Sequence, residues 1–129
     1  YRRQQYDYAF DFRTLAFDGD DVSSYSTFGR TVDLFGDGSI RLASTPGHTA
    51  GHQSVIVRLK DRDMVISGDA IYLEEQLEPR ADLPGRMQDE HNFKRSLQEI
   101  RLFRREYPDA VITPGHDPDF YGNAPEKYE

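Results

Sequence analysis

His48, Asp69 and His116 share a local pattern, because each directly follows a glycine and lies just after a short apolar stretch. Such stretches are typical of buried strands, and α/β sheets bind ligands at the carboxyl ends of their strands. A glycine there lets the backbone turn tightly and approach a bound group. Neutral imidazole and carboxylate are ligands that zinc takes where no thiolate is available. Any one of these turns alone is explained as an ordinary polar turn, but the three together predict a metal site.

Short strands must carry these residues, and the alternation of apolar and polar side chains predicts where they lie. The predicted strands are 32–34 and 40–42, joined in a hairpin by a turn at 36–38, then Gln53–Leu59, Met64–Ile66 and Ala110–Thr113. Alternating aromatic residues predict a further strand over 6–12. Prolines, a glycine and many charges predict a loop over 74–90, and the polar residues after Asp117 predict an irregular tail.

A helix is predicted over about 90–107, before the last of these strands. Its apolar residues recur at steps of four, three, three and four, which places them on one helical face. They are Phe93, Leu97, Ile100, Phe103 and Tyr107. Asp89 is placed to cap the first turn, and Pro108 ends the helix. His91 falls in the first turn, where we expect it to face solvent.

The composition excludes several classes of protein. A chain of 129 residues allows one domain, and the lack of cysteine excludes a disulfide scaffold, a thiolate zinc site and a cysteine nucleophile. The apolar runs are too short to cross a membrane, so no membrane partner is expected. The chain has 16 Lys and Arg against 23 Asp and Glu, and the net charge of −7 disfavours a nucleic acid as partner. The expected location is a reducing cytoplasm.

Three segments together resemble the metallo-β-lactamase superfamily, in order and spacing, over about residues 30–120. They are TPGHTAGHQS at 45–54, Ser67-Gly68-Asp69, and Pro114-Gly115-His116-Asp117. The resemblance implies two divalent metal ions, with zinc as the first candidate. It also implies that His48 binds the first ion, that Asp69 bridges both, and that His116 binds the second. His52 is expected to support or pack against the site, since the family ligand is the earlier histidine.

Within the superfamily the chain is most similar to the N-acyl homoserine lactonases. The similarity lies in the sequence motif around His48 and in Tyr72, three residues after Asp69. The likeness implies a quorum-quenching hydrolase that opens a small lactone. Tyr72 would point its hydroxyl at the substrate carbonyl, and Asp69 would also orient the nucleophile. Two alternatives stay open: a thioesterase similar to glyoxalase II, which shares the histidine motif but usually lacks the tyrosine, and a non-catalytic interaction domain. A homodimer also stays open.

The superfamily signature HxHxDH is missing from the 129 residues. The resemblance therefore implies that residues 1–129 are one partial α/β (α+β) domain, roughly the C-terminal half of an αββα sandwich. Each metal would then have one terminal ligand and the bridging carboxylate, fewer than the three or four protein ligands that hold zinc tightly. We expect this chain by itself to bind metal weakly and to have no useful lactonase activity.

Overall fold

Residues 14–128 are described by a computed structural model, and they form one six-stranded sheet with a long helix against it. The strands are β1 (Val22–Tyr25), β2 (Phe28–Asp33), β3 (Ile40–Ser44), β4 (Gln53–Arg58), β5 (Asp63–Ile66) and β6 (Val111–Thr113). The helices are α1 (Glu90–Glu106) and the short α2 (Pro118–Gly122). The predicted α/β class is thus confirmed.

The strands lie in the order of the chain, and all neighbours are antiparallel except β5 and β6, which are parallel. Because β3 and β5 are both antiparallel to β4, β3 runs in the same direction as β5 and β6. The carboxyl ends of these three strands therefore meet at one edge of the sheet. The loops that begin there are 45–52, 67–72 and 114–117, which carry the residues predicted to do chemistry.

Helix α1 connects β5 to β6 and covers one face of the sheet. Asp89 caps it by accepting a hydrogen bond from the backbone N–H of Asn92 at 3.0 Å, as predicted. Tyr107, which was predicted on the apolar face, lies just after the helix and is 41% exposed. The other four residues of that face are buried, and Phe103 packs on Phe28 of β2 with ring centroids 5.3 Å apart. Burying each such side chain contributes about 1.5–3 kcal/mol. The core is formed by Phe28, Ala43, Ile56, Val65, Ala70, Ile71, Phe93, Leu97, Ile100, Phe103, Ala110 and Ile112.

The predicted hairpin, the strands after it and the long helix are confirmed, but three local elements differ from prediction. A short 3₁₀ turn, Glu74–Leu77, interrupts the predicted loop. The tail contains α2, because Asp117 caps it and Pro118 fits its first turn. Strand β1 was not predicted, since its sequence, VSSY, lacks a clear apolar alternation. The strand predicted over 6–12 lies outside the described residues.

Every helix within residues 14–128 is too short or too polar to cross a membrane.

Candidate functional site

His48, Asp69 and His116 come together at the edge of the sheet where β3, β5 and β6 end. Nε2 of His48 lies 3.1 Å from Oδ2 of Asp69, and Nε2 of His116 lies 3.0 Å from Oδ1. Asp69 therefore stands between the two histidines and presents one oxygen to each. The side chain of Asp69 is about one-third exposed and that of His116 more than half, so the group is open to solvent.

The donor atoms of these three residues fit part of a metal centre. Two imidazole nitrogens and two carboxylate oxygens are all ligand types that zinc accepts. A carboxylate that bridges two ions uses one oxygen for each, and Asp69 already divides its oxygens in this way. Within residues 14–128, no group of three or more His, Asp or Glu side chains is arranged so that it could hold a metal ion by itself. The two histidines instead lie within hydrogen-bonding distance of the Asp69 carboxylate.

Tyr72 lies directly over this group. Its hydroxyl is 2.7 Å from Nδ1 of His48. The backbone oxygen of Arg86, at 3.2 Å, is an acceptor for the same hydroxyl. Its ring stacks on that of His116, with centroids 5.1 Å apart and planes inclined by 25°. Burial, and then the charge of Asp69, raise the pKa of the Tyr72 phenol above its usual 10.0. The hydroxyl therefore keeps its proton at neutral pH and can donate it in a hydrogen bond.

Backbone hydrogen bonds join the loop after β6 to the loop after β5. The N–H of His116 donates to the oxygen of Tyr72 at 2.9 Å, and the preceding N–H, of Gly115, donates to the oxygen of Ile71 at 2.7 Å. Asp117 extends the connection by accepting from the N–H of Glu74 at 2.8 Å. This bond, and then those from the first turn of α2, lower the pKa of Asp117 below its usual value. The stacking of Tyr72 on His116 follows from this pairing.

The loop that carries His48 is fixed by the first turn of α1. The backbone oxygen of Gly47 accepts hydrogen bonds from the N–H groups of Gln88 and Asp89, at 2.9 and 3.0 Å. Ser96, one turn further along the helix, donates its hydroxyl to the oxygen of Pro46 at 2.7 Å. The position of His48 therefore depends on where the helix begins.

Of the two remaining histidines, one lies away from this group and the other lies directly behind it. His91 is exposed in the first turn of α1, as predicted. His52 lies behind Asp69, where its Nε2 accepts the backbone N–H of Asp69 at 3.0 Å. Burial lowers the pKa of His52 below its usual 6.5, which favours the neutral ring.

Sequence reasoning missed a chain of buried hydroxyl groups beneath the three loops. The Thr45 hydroxyl bonds that of Ser54 at 2.9 Å, and the Ser54 hydroxyl donates to the backbone oxygen of Ser67 at 3.2 Å. The Ser67 hydroxyl then donates to the backbone oxygen of Thr113 at 2.6 Å. A signal was available, because a serine or threonine accompanies each of the three motifs where its strand begins or ends.

A cavity of about 340 Å³ opens beside Tyr72 and His116. Leu73, Leu83 and Pro84 supply apolar walls. Glu75, Gln76 and Asp82 also line it. Such a cavity suits an uncharged, partly apolar group better than an anion.

Comparison with known proteins identifies the family. The family model of the metallo-beta-lactamase superfamily matches residues 5–116. The chain belongs to the metallo-β-lactamase superfamily. It is 39% identical over 100 residues to the N-acyl homoserine lactonase AttM of Rhizobium radiobacter, which covers 74% of this chain and 37% of that protein. It is also 34% identical over 101 residues to a probable metallo-hydrolase of Mycobacterium tuberculosis, covering 71% and 32%.

Solved structures of lactone hydrolases share the fold. One is an N-acyl homoserine lactone hydrolase with N-hexanoyl-L-homoserine bound at its catalytic metal centre, and another is AiiA of B. thuringiensis with N-decanoyl-L-homoserine at its active site. Each gives a TM-score of 0.63 at 22% identity and covers 74% of this chain and 36% of the solved one. The resemblance drawn from the three sequence motifs is therefore confirmed, and the chain spans about a third of the length of these relatives.

Proposed function

We propose that the whole protein is a metal-dependent hydrolase that opens the ring of N-acyl homoserine lactones, and so quenches quorum signals. The observation that carries the proposal is the position of the Tyr72 hydroxyl, 2.7 Å from His48 and above the His48–Asp69–His116 group. A protonated phenol there is a hydrogen-bond donor for a carbonyl that reacts beside the histidines. The similarity to the R. radiobacter lactonase supports the same assignment.

His48 holds the first of two divalent ions and His116 the second, with Asp69 between them. The division of the Asp69 oxygens between the two histidines supports this assignment. When bound, such ions polarise a carbonyl and lower the pKa of water toward about 7. With one terminal histidine for each ion, this chain accounts for part of the ligands that two ions require.

Tyr72 and Asp69 act on the reacting groups themselves. Tyr72 donates a hydrogen bond to the lactone oxygen as negative charge develops there, and its raised pKa keeps the donor protonated. Asp69 accepts a hydrogen bond from the attacking water and orients it toward the carbonyl. The half-buried Tyr72 ring, stacked on His116, holds the donor in a fixed direction.

The apolar cavity beside Tyr72 receives the acyl part of the substrate. Its walls of Leu73, Leu83 and Pro84 bury hydrocarbon, whereas Glu75 and Asp82 repel a substrate that carries a carboxylate. A neutral N-acyl lactone satisfies both conditions. The opened product carries a new carboxylate, so the same charges favour its release.

Side-by-side assays of the whole, zinc-loaded protein test the proposal. Proton release is measured with an N-acyl homoserine lactone and with a glutathione thioester, and Asp69→Asn gives the background. We expect kcat/KM for the lactone to exceed that for the thioester by at least about tenfold. A higher value for the thioester would favour a glyoxalase-II-like enzyme. Hydrolysis of neither substrate would favour an interaction domain.

A further inference from the structure

His52 makes contacts that define which of its ring nitrogens carries the proton. Its Nε2 lies 3.0 Å from the backbone nitrogen of Asp69, and a backbone N–H can only donate. Nε2 is therefore the acceptor, and Nδ1 carries the hydrogen. Nδ1 in turn lies 2.9 Å from the backbone oxygen of Thr45, which can only accept. Both contacts select the same neutral tautomer.

Gly68 makes the contact between His52 and Asp69 sterically possible. Its φ of +52° lies in the left-handed region, and a Cβ at this residue would approach Nε2 of His52 to 3.1 Å. A side chain here would strain the backbone and crowd the imidazole at once. The glycine before Asp69 thus serves the histidine behind the site as well as the turn itself.

The far side of His52 is anchored in the buried hydroxyl chain. The Thr45 hydroxyl lies 3.0 Å from Nδ1 of His52 and 2.9 Å from the hydroxyl of Ser54. From there the bonds continue through Ser67 to the backbone oxygen of Thr113, and all four residues are at most 5% exposed. Both ring nitrogens of His52 are hydrogen-bonded, and the Thr45 hydroxyl beside Nδ1 is itself held by Ser54. The imidazole therefore has little freedom to move.

We propose that His52 is a positioning residue that fixes the backbone of Asp69 and thereby aims its two carboxylate oxygens at separate metal ions. This inference rests on the proposed function, since it concerns Asp69 as the bridging ligand. Asp69 lies in a single 3₁₀ turn, Gly68–Ala70, which has no side-chain cap, so the bond from His52 to its N–H restrains the turn from outside. Loss of that bond lets the turn shift and the carboxylate rotate.

Two substitutions of His52 separate positioning from general stability. In His52→Gln the side-chain oxygen reaches about as far as Nε2 and can still accept the Asp69 N–H. In His52→Asn the amide nitrogen replaces Nδ1 at the Thr45 oxygen, but nothing reaches Asp69. Each variant keeps one of the two bonds, so a purely structural role predicts similar losses for both.

Cobalt(II) replaces zinc in the whole protein, because its visible absorption reports ligand geometry. We expect His52→Asn to lower cobalt affinity by about 10–100-fold, as outer ligand-orienting residues do, and to change the spectrum. We expect His52→Gln to restore most of both, while urea unfolding shows similar stability for the two variants. Wild-type affinity and spectrum in His52→Asn would overturn the positioning role alone. A wild-type protein that binds no cobalt would overturn the proposed function, and with it the inference.

A measurement on the unmodified protein covers the case in which His52→Asn does not fold. Nitrogen-15 NMR at neutral pH distinguishes the two imidazole tautomers. We expect His52 to carry its proton on Nδ1 and the Asp69 amide proton to show coupling to Nε2 across the hydrogen bond. A proton on Nε2 of His52 would overturn the inference.

Discussion

At the scale of single residues, Asp69 is the point where the site is held together. Its two oxygens face His48 and His116, and its N–H is bound by His52. Three histidines therefore surround one aspartate, two in front of it and one behind. In the proposed metal centre, a change at any of them would act through this carboxylate.

The Tyr72 hydroxyl is expected to contribute to both catalysis and metal binding. Tyr72→Phe removes the proposed oxyanion donor and also the partner of His48 Nδ1. With lactone and zinc both saturating, we expect kcat to fall by about 10² or less, because the metal ions still polarise the same carbonyl. The zinc affinity should fall by about tenfold, and the free energy of unfolding by less than about 1.5 kcal/mol.

Tyr107→Phe is the matched control for this change. Tyr107 lies at the far end of α1 and is 41% exposed, so the same loss of a hydroxyl there should leave kcat and zinc affinity unaltered. Steady-state kinetics and zinc titration of the two variants give the comparison. Unchanged kcat and zinc affinity in Tyr72→Phe would show that Tyr72 is only a packing residue, and the thioesterase would then be as well supported as the lactonase.

At the scale of elements, the beginning of α1 positions the histidine loop after β3. Gly47 has a φ of +138°, and a Cβ there would lie 2.3 Å from the backbone nitrogen and Cα of Phe93. Helix and loop therefore touch backbone to backbone at this residue. This contact links the folding of the helix to the position of His48.

Gly47→Ala is expected to destabilise the fold by about 1–3 kcal/mol or more, because the helix or the loop must move. Urea unfolding measures the loss. Gly51→Ala is the control in the same loop, since a Cβ there meets no atom within 4 Å, and we expect a change within about 0.5 kcal/mol. Equal effects of the two substitutions would contradict the close contact of loop and helix.

Glu99, in the middle of α1, is expected to make stability depend on pH. Burial raises the pKa of its carboxyl above the usual 4.5, an effect opposed by the charges of Arg95 and Arg30. The native state then holds the proton at pH values where the unfolded chain has released it. The contribution of Glu99 to the free energy of unfolding is therefore fully present below about pH 4.5, and it is lost as the pH rises through the native pKa.

Glu99→Gln should therefore gain stability relative to the wild type between about pH 4 and about pH 7. Urea unfolding at both pH values measures the difference. Glu90→Gln is the control of opposite sign, because Lys94 lowers the pKa of Glu90, so this variant should lose stability relative to the wild type over the same range. A Glu99→Gln difference that does not change with pH would contradict the effect of burial.

Features that depend on residues close together in the sequence could be predicted. Features that depend on contacts between distant parts of the chain could not. Asp89 and the apolar spacing of α1 act within a few residues, so the helix was found with its cap. The strand-end glycines indicated where His48, Asp69 and His116 would meet. The contact of His52 with Asp69 depends instead on the register of β3, β4 and β5, which periodicity does not encode.

At the scale of the whole molecule, the site depends on the entire sheet from β3 to β6. Asp69 follows His48 by 69 − 48 = 21 residues, and His116 follows Asp69 by 116 − 69 = 47. Each lies on a different loop, so partial unfolding of any of these strands separates the three residues. The proposed metal binding would therefore be linked to folding of the sheet.

This linkage gives an expected response of chain 1–129 to zinc. This chain offers each ion one histidine and the shared Asp69. We therefore expect its dissociation constant for zinc to be at least as high as the zinc concentration that saturates the whole protein. Stabilisation at the dissociation constant is RT ln 2, about 0.4 kcal/mol, so zinc should raise Tm by no more than about 1–3 °C.

Asp69→Asn should abolish this rise, whereas Asp109→Asn, an exposed aspartate after α1, should preserve it. Thermal unfolding with and without zinc, beside metal analysis after dialysis, measures both. Stoichiometric zinc retained by a monomer of chain 1–129 would contradict the expectation, since it would mean that these three residues form a sufficient site.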